Sequence, residues 1–547
     1  MKRITLLLLI ILILFAACTK KEKVQRPKLV VGLVIDQMRW DYLYRYYERY
    51  GDNGFKRLMR KGYNCQQAMI NYIPSNTGPG HACIYTGTVP SVHGISGNDY
   101  WDVLANKSVY CASDPLVYQT GDDLKTPSMS PRNMLTTTIT DELRLATNLR
   151  SRVYGIAIKD RGGIFPAGHL ANAAYWYNDR NGTFVSSTYY PNPNPEWLKA
   201  FNKRKVADSL EKLNWNLLYP ANTYTQSTTD ANNYEKGFKG EKAPVFPHIT
   251  DSLADSDRHS MLKTMPQGNT ISLMMAKACI EGEHLGAGDD ADFLCVSLSS
   301  TDYMGHQFGP NSMEAEDMYL RLDKEIGEFL DYLDSKVGKG NYLFFLTADH
   351  GAAHNATFLA DNDVPAGFLN PNTLPDLNMY LKAQFGKDHL TDTIGNYQLV
   401  LNESLIEKEK LDRNKIKDVT RQWFSKKPEV QYVVDIEDMS KTPVPEPIHT
   451  MIVNGYYRLR GGCLQFILNP GWYDYGTKQT GTTHGTWNPY DTHIPLLWYG
   501  WHIPKGETID RVNMTDIAPT IAAMLHIQMP NGCIGKPIQF EKTKEEN

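Results

Sequence analysis

Three continuous apolar runs, each ending in an acid, constrain this chain more than any other feature. "KLVVGLVID" (28–36) ends at Asp36, "ADFLCVSLSSTD" (291–302) at Asp302, and "NYLFFLTADH" (341–350) at Asp349 and His350. Runs without polar alternation fit strands buried on both faces, hence a parallel sheet covered by helices. Between the second and third runs, Met318, Leu322, Ile326, Phe329, Leu330 and Leu333 recur at helical spacing. They predict a helix over about 311–336, started by Asn311 and Glu314. Strand, helix, strand is a βαβ unit. "HIPLLWYG" (493–500) predicts another strand, and "MTDIAPTIAAMLHI" (514–527) a helix entered through Asp516 and Pro519. The expected fold class is α/β, a mostly parallel central sheet with helices on both faces.

One large domain is expected over residues 28–540, with two insertions. The first, at about 175–265, is rich in Asn, Tyr, Trp, Thr and Pro and reads as a surface cap. The second, at about 366–460, carries a basic helix near "RNKIKDVTRQWFSKK". A net charge of -4 over 547 residues implies no basic surface for nucleic acid. Nothing in the sequence calls for an obligate protein partner.

Residues 1–17 read as an export signal, with Lys2 and Arg3 before an apolar run too short for a membrane span. Cys18 follows Ala16 and Ala17, which predicts a lipid anchor on Cys18. Ordinary cleavage with Cys18 incidental is the alternative. Either way the mature protein is expected outside the cytoplasm, on the periplasmic side. The other cysteines are seven, an odd number, so at least one stays free if Cys18 is consumed. None forms a CxxC pair, which removes the usual thiolate zinc and dithiol redox motifs.

In an open parallel sheet, ligands bind beyond the carboxyl ends of the strands. Asp36, Asp302 and Asp349 all fall there. A single such acid is often a helix cap; three, two of them with histidines, are harder to assign to capping. "TDYMGH" puts Asp302 and His306 on one face of a helical turn. Asp349 and His350 are adjacent, and Gly351 lets the chain leave the strand so that both reach one point. His484 in the glycine-flanked "GTTHGTW" completes the set. Carboxylate with imidazole suits zinc or a similar transition metal. Six such ligands exceed one catalytic zinc and suit two metals, which about 3.5–4 Å apart clamp both oxygens of a phosphoryl displacement. His81 and His354 read as orienters of ligands, and His93 and His493 as structural.

"NYIPSNTGPGH" (71–81) then gains a purpose. Its prolines and glycines forbid a continuing strand, so Thr77 sits at a sharp turn into a helix. There a hydroxyl is presented like the serine of a nucleophile elbow, and the helix N-terminus favours an anion. An ordinary helix cap is the competing reading for Thr77.

These motifs, with "RPKLVVGLVIDQMRWDYLYRYY", "GNDYW", "IKDRGGIFPAGH", "STDYMGHQFGPNS", "ADHGAAH" and "GTTH", resemble the alkaline phosphatase superfamily. Within it they are most similar to the periplasmic monoesterase branch, the PafA-type alkaline phosphatases. The resemblance implies a zinc-dependent phosphatase acting on small phosphate monoesters, with two zinc ions per chain. Asp36, Thr77, Asp349 and His350 would hold one ion; Asp302, His306 and His484 would hold the other. Thr77 would be the nucleophile and pass through a phosphothreonine intermediate. Asn98, Lys159 and Arg161 would hold the phosphoryl oxygens. A phosphodiesterase or nucleotide pyrophosphatase of the same superfamily is the alternative. The sequence departs from the family pattern at Pro79, where an apolar non-proline residue is expected.

Overall fold

The computed structural model describes residues 24–121, 126–250, 258–474, 476 and 478–541. The export signal and Cys18 lie outside the described residues. Each acid-terminated run is a strand: β1 (Leu29–Ile35), β3 (Asp292–Leu298) and β4 (Tyr342–Thr347), every residue of them buried. A fourth, β2 (Val153–Ala157), is buried throughout as well. They lie side by side in the order β2, β3, β1, β4, all parallel. Ile35 pairs with Leu298 and Val34 with Thr347, so the carboxyl ends are level. That register gathers Asp36, Asp302 and Asp349 at one edge of the sheet.

The helices that matter for the site start at this edge. They are α1 (Thr77–Thr86), α2 (Asp160–Ala167) and α3 (Ser300–Phe308), with α4 (Met313–Leu333) leading from α3 back to β4. The expected helix at 311–336 is α4, but its cap is Ser312, whose Oγ accepts the Ala315 N–H at 3.0 Å. The expected strand at 493–500 divides into His493–Ile494 and Leu496–Gly500, and both pairings run antiparallel. Pro495 lies between them and has no N–H for a ladder. The mostly parallel α/β fold is therefore the fold observed, with antiparallel strands added at its flanks.

Twelve described strands form the central sheet. The segment read as an insertion from about 175 enters that sheet first, through Ala173–Asn178 and Thr183–Ser187. Their weak periodicity gives no strand signal along the sequence. Residues within 366–468 form a four-stranded antiparallel sheet of their own. It is packed against the helices Thr373–Phe385 and Arg413–Phe424 around Leu377, Leu381, Ile416, Phe424 and Phe466. All seven described cysteines are free thiols. No helix among the described residues is long and apolar enough to cross a membrane.

Candidate functional site

Thr77 is the first residue of α1, and Asn76 is its N-cap. Pro79 therefore takes the third helical position, where its missing N–H would have had no intrahelical partner anyway. The proline leaves the helix start undisturbed, and Thr77 Oγ1 stays at the strand ends. It lies 3.3 Å from His350 Nε2 and 3.3 Å from Lys159 Nζ. Helix α1 presses against the loop after β4: a Cβ on Gly80 would sit 2.5 Å from the Asp349 carbonyl oxygen. Glycine at 80 thus sets the distance between Thr77 and Asp349.

The helix N-terminus does less for an anion than its sequence promises. The Gly78 N–H donates to Asn98 Oδ1 at 2.8 Å, and Pro79 has no N–H. The planar amide of Asn98 relays this end instead, with its NH2 group on the side away from Gly78.

All the expected ligands converge. Asp302 Oδ1 is 3.2 Å from His306 Nε2, one helical turn on, and 3.6 Å from His484 Nε2. His350 Nε2 lies 3.5 Å from Asp36 Oδ1 and 3.6 Å from Asp349 Oδ2. Two triads have donor atoms mutually within 4.8 Å: Asp302, His306 and His484, and Asp36, Asp302 and His350. The resemblance groups Asp349, not Asp302, with Asp36 and His350. The difference traces to Lys159, whose ammonium bonds Asp36 Oδ2 at 2.8 Å and Asp302 Oδ2 at 2.5 Å and draws those two carboxylates together.

The imidazoles share one arrangement. Nδ1 of His306 faces the Thr482 carbonyl at 2.8 Å, that of His350 the Gly351 carbonyl at 3.0 Å, and that of His484 the Ser75 carbonyl at 2.7 Å. A carbonyl only accepts, so each Nδ1 carries the proton and each Nε2 is left as a lone pair. Those lone pairs face carboxylate oxygens. Burial holds His350 below its ordinary pKa, and burial with the neighbouring His350 holds His484 well below, so neither ring relieves the clash by protonation. A cation between them does. Buried Asp36 Oδ1 and Asp349 Oδ2 have no hydrogen-bond partner, although His81 Nδ1 lies 3.2 Å from Asp349 Oδ2. That His81 proton is spent on the Thr77 carbonyl at 3.0 Å, so the ring does not satisfy the carboxylate.

The carboxylates feel the same crowding. Burial and then Asp349 push the Asp36 carboxyl well above its usual range. Asp302 stays well below its own despite burial, with the Lys159 ammonium bonded to its Oδ2 at 2.5 Å. The donor set of oxygens and imidazole nitrogens fits divalent zinc.

The remaining histidines are satisfied elsewhere. His81 Nε2 pairs with Ser297 Oγ at 2.9 Å. His354 takes a hydrogen bond from Arg39 at 3.2 Å and gives one to Asn311 at 2.6 Å. His493 donates to the Gln66 carbonyl at 2.8 Å, and His93 lies against Cys83.

Arg161, in the first turn of α2, reaches the Tyr110 hydroxyl with Nη1 at 3.3 Å, while its buried Nε has no partner. Tyr110 is fixed in turn by Asp160.

Sequence reasoning missed Gln37. Its φ of 65° turns the chain sharply after Asp36. Its N–H donates to Asp349 Oδ1 at 3.2 Å and its Nε2 to Asp302 Oδ1 at 2.7 Å. Gly305 makes room for it, since a Cβ there would lie 1.8 Å from Gln37 Oε1. A polar residue directly after a strand-end acid was the available signal.

The family described as type I phosphodiesterase / nucleotide pyrophosphatase matches residues 30–491. A protein named calcium-transporting ATPase from Myroides odoratus is 49% identical over 526 residues, 96% of this chain and 96% of that one. Alkaline phosphatase PhoV from Synechococcus elongatus is 49% identical over 517 residues, 94% of this chain and 93% of its own. The crystal structure of a multiply substituted alkaline phosphatase PafA matches with a TM-score of 0.92 at 44% identity, covering 94% of this chain and 99% of that one.

Proposed function

Since the chain belongs to the type I phosphodiesterase / nucleotide pyrophosphatase family and is an alkaline phosphatase, a phosphomonoester hydrolase, we propose that Thr77 is its nucleophile and that two zinc ions serve it. Asp36, Thr77, Asp349 and His350 hold one ion and Asp302, His306 and His484 the other. The ions supply Lewis acidity, which lowers the pKa of the Thr77 hydroxyl and offsets the charge of the phosphoryl group.

Thr77 Oγ attacks phosphorus. A phosphothreonine forms as the bond to the leaving oxygen breaks, and the electron pair departs on that oxygen. The proton that Thr77 gives up leaves with that oxygen as the alcohol; water then attacks phosphorus, the bond to Thr77 Oγ breaks and that oxygen takes up one of the water's protons, and inorganic phosphate leaves with the Thr77 hydroxyl restored. Asn98, Lys159 and Arg161 bind the phosphoryl oxygens, Arg161 as a planar fork and Lys159 as a point charge. His81 orients the start of α1 through the Thr77 carbonyl. Gln37 ties Asp302 to Asp349.

The observation carrying the metal assignment is the common histidine arrangement, with three Nδ1 protons spent on backbone carbonyls and three Nε2 lone pairs turned to carboxylates. The family description favours a diesterase as second reading. Lys159 and Arg161 argue against it, because they suit a dianionic phosphoryl group and occupy room a second ester substituent needs. Metal content by elemental analysis, with initial rates on monoester, diester and sulfate ester, tests the assignment. Two zinc ions and a monoester preference are expected; full activity with one metal or none refutes it.

We also propose residues 28–540 as the catalytic domain, with one insertion that begins only after the central-sheet strand Thr183–Ser187 and a second that runs from about 366 through the strand Leu464–Leu468, and export to the periplasm with lipid on Cys18. A Cys18→Ser variant that still fractionates with membranes refutes the anchor.

A further inference from the structure

We propose that Asn396, carried by the inserted sheet, is a positioning residue that holds the Asn98 amide and the Thr77 hydroxyl in register; this rests on the reading above of Asn98 as a phosphoryl ligand. Asn396 and Tyr397 form the two-residue turn between the strands Thr391–Gly395 and Gln398–Leu401, in which Gly395 pairs with Gln398. Their φ values of 55° and 59° are those of a type I′ turn, where asparagine in first place is a favoured choice. The turn accounts for the residue type but not for the contacts its side chain makes.

The Asn396 side chain leaves its own hairpin and joins two segments of the catalytic domain. Its Nδ2 donates to the Asp99 carbonyl at 2.8 Å, and its Oδ1 accepts from Asn76 Nδ2 at 3.1 Å. A carbonyl only accepts, so this orientation of the amide is fixed. Asn76 is the N-cap of α1, yet its side chain accepts no bond from the helix; it reaches across to Asn396 instead. Asp99 follows Asn98, whose Oδ1 accepts the Gly78 N–H at 2.8 Å. The bonds close a ring through Asn76, Asn396, Asp99, Asn98 and Gly78, with Thr77 between Gly78 and Asn76. Gly97 admits the amide, since a Cβ there would lie 2.2 Å from Asn396 Nδ2.

The turn is braced from behind. Gln465 Nε2 donates to the Tyr397 carbonyl at 3.1 Å, and the Tyr397 hydroxyl accepts the Asp474 N–H at 3.1 Å. The insertion grips the segment before Asn98 as well: Arg460 Nη1 donates to the Gly94 carbonyl at 2.6 Å, and Ser96 Oγ to the Arg460 carbonyl at 2.7 Å. From the other side, the Cys111 N–H donates to the Asn98 carbonyl at 2.8 Å. That bond fixes the backbone of Asn98, while Asn396 fixes its separation from the start of α1. A shift of this loop moves the Asn98 amide against the phosphorus that Thr77 attacks, and a misplacement of about 1 Å can cost about 10² in rate.

The test is a double-mutant cycle in the full chain, reading kcat/KM for an aryl phosphate monoester. Asn396→Gly removes the amide and keeps the left-handed turn, because glycine adopts positive φ freely. It should lower kcat/KM about tenfold, with zinc content and melting temperature close to the parent's. Asn396→Asp keeps the acceptor for Asn76 but sets an oxygen against the Asp99 carbonyl, so it should not restore the rate. In an Asn98→Ala background, Asn396→Gly should change the rate less than about twofold, because the group it positions is gone. Asn76→Ala cuts the same link from the other side and should show the same loss and the same dependence on Asn98; it decides the matter if Asn396→Gly does not fold. An unchanged rate in Asn396→Gly, or an equal loss with and without the Asn98 amide, overturns this inference alone. Asn98→Ala at the parent's rate defeats the phosphoryl-ligand reading and the positioning role with it.

Discussion

Arg161→Ala should separate monoester from diester hydrolysis, and the structure sets the scale. The guanidinium lies in the first turn of α2, two residues after Lys159, steadied by Tyr110 at 3.3 Å, and its buried Nε donor has no protein partner. That donor is available to a phosphoryl oxygen. Lys159, by contrast, already spends its ammonium on Asp36 at 2.8 Å and Asp302 at 2.5 Å. A hydrogen bond to a charged group contributes roughly 1.5–3 kcal/mol. Removing the arginine fork should cost about 3 kcal/mol in the transition state, or about 10² in kcat/KM for an aryl phosphate monoester. A diester has one negative charge fewer and should lose less than about tenfold. Arg161→Lys should recover only part of the loss, because an ammonium cannot reproduce the fork. Adding Lys159→Ala should carry the monoester loss to about 10²–10⁴. Initial rates with both esters, with zinc content measured on the same samples, decide the matter. Equal losses for monoester and diester with zinc in place would show that these cations do not select the substrate.

Other variants test the framework around the nucleophile. Gly80→Ala puts a Cβ 2.5 Å from the Asp349 carbonyl oxygen; it should cost about 1–3 kcal/mol and weaken zinc binding, measured by thermal melts and zinc titration. Lys159→Met removes the cation bonded to Asp36 and Asp302, so in chelated protein it should cost about 3–5 kcal/mol. At about 1 kcal/mol/K for a chain of roughly 500 residues that is a Tm drop of about 3–5 °C. The drop should be smaller in zinc-loaded protein, and equal drops in both states would sink the argument. Burial and Arg39 hold His354 near about 3, against about 6.5 in the unfolded chain. The unfolded state therefore binds the extra proton, and stability present above pH ~6.5 is lost as pH falls toward ~3. Between pH ~7.5 and ~5 a His354→Gln variant should lose about 2 kcal/mol less than the parent in denaturant titrations; identical losses would refute the assignment.

The sequence by itself determined the strand-end acids and the α/β architecture. Seven or so apolar residues without alternation have few homes other than a doubly covered strand, and that argument needs no partner residue. It also determined that Asp302 and His306 share a face, because four residues is one helical turn. Tertiary structure decided the rest. The sequence of the Ala173–Ser187 strands is weakly periodic, and only the sheet edge they complete makes them strands. Which nitrogen His306 and His484 offer depends on carbonyls far away along the chain: His306 is oriented by Thr482, 176 positions off, and His484 by Ser75, 409 positions off. No local pattern encodes such a bond. Lys159 reads as one cation in a charged loop, yet the register of four parallel strands places it between two carboxylates that are themselves far apart in sequence. Spacing along the chain fixes what lies within a turn or a strand. The site is made where separate strand ends meet, and that meeting is a property of the packed sheet.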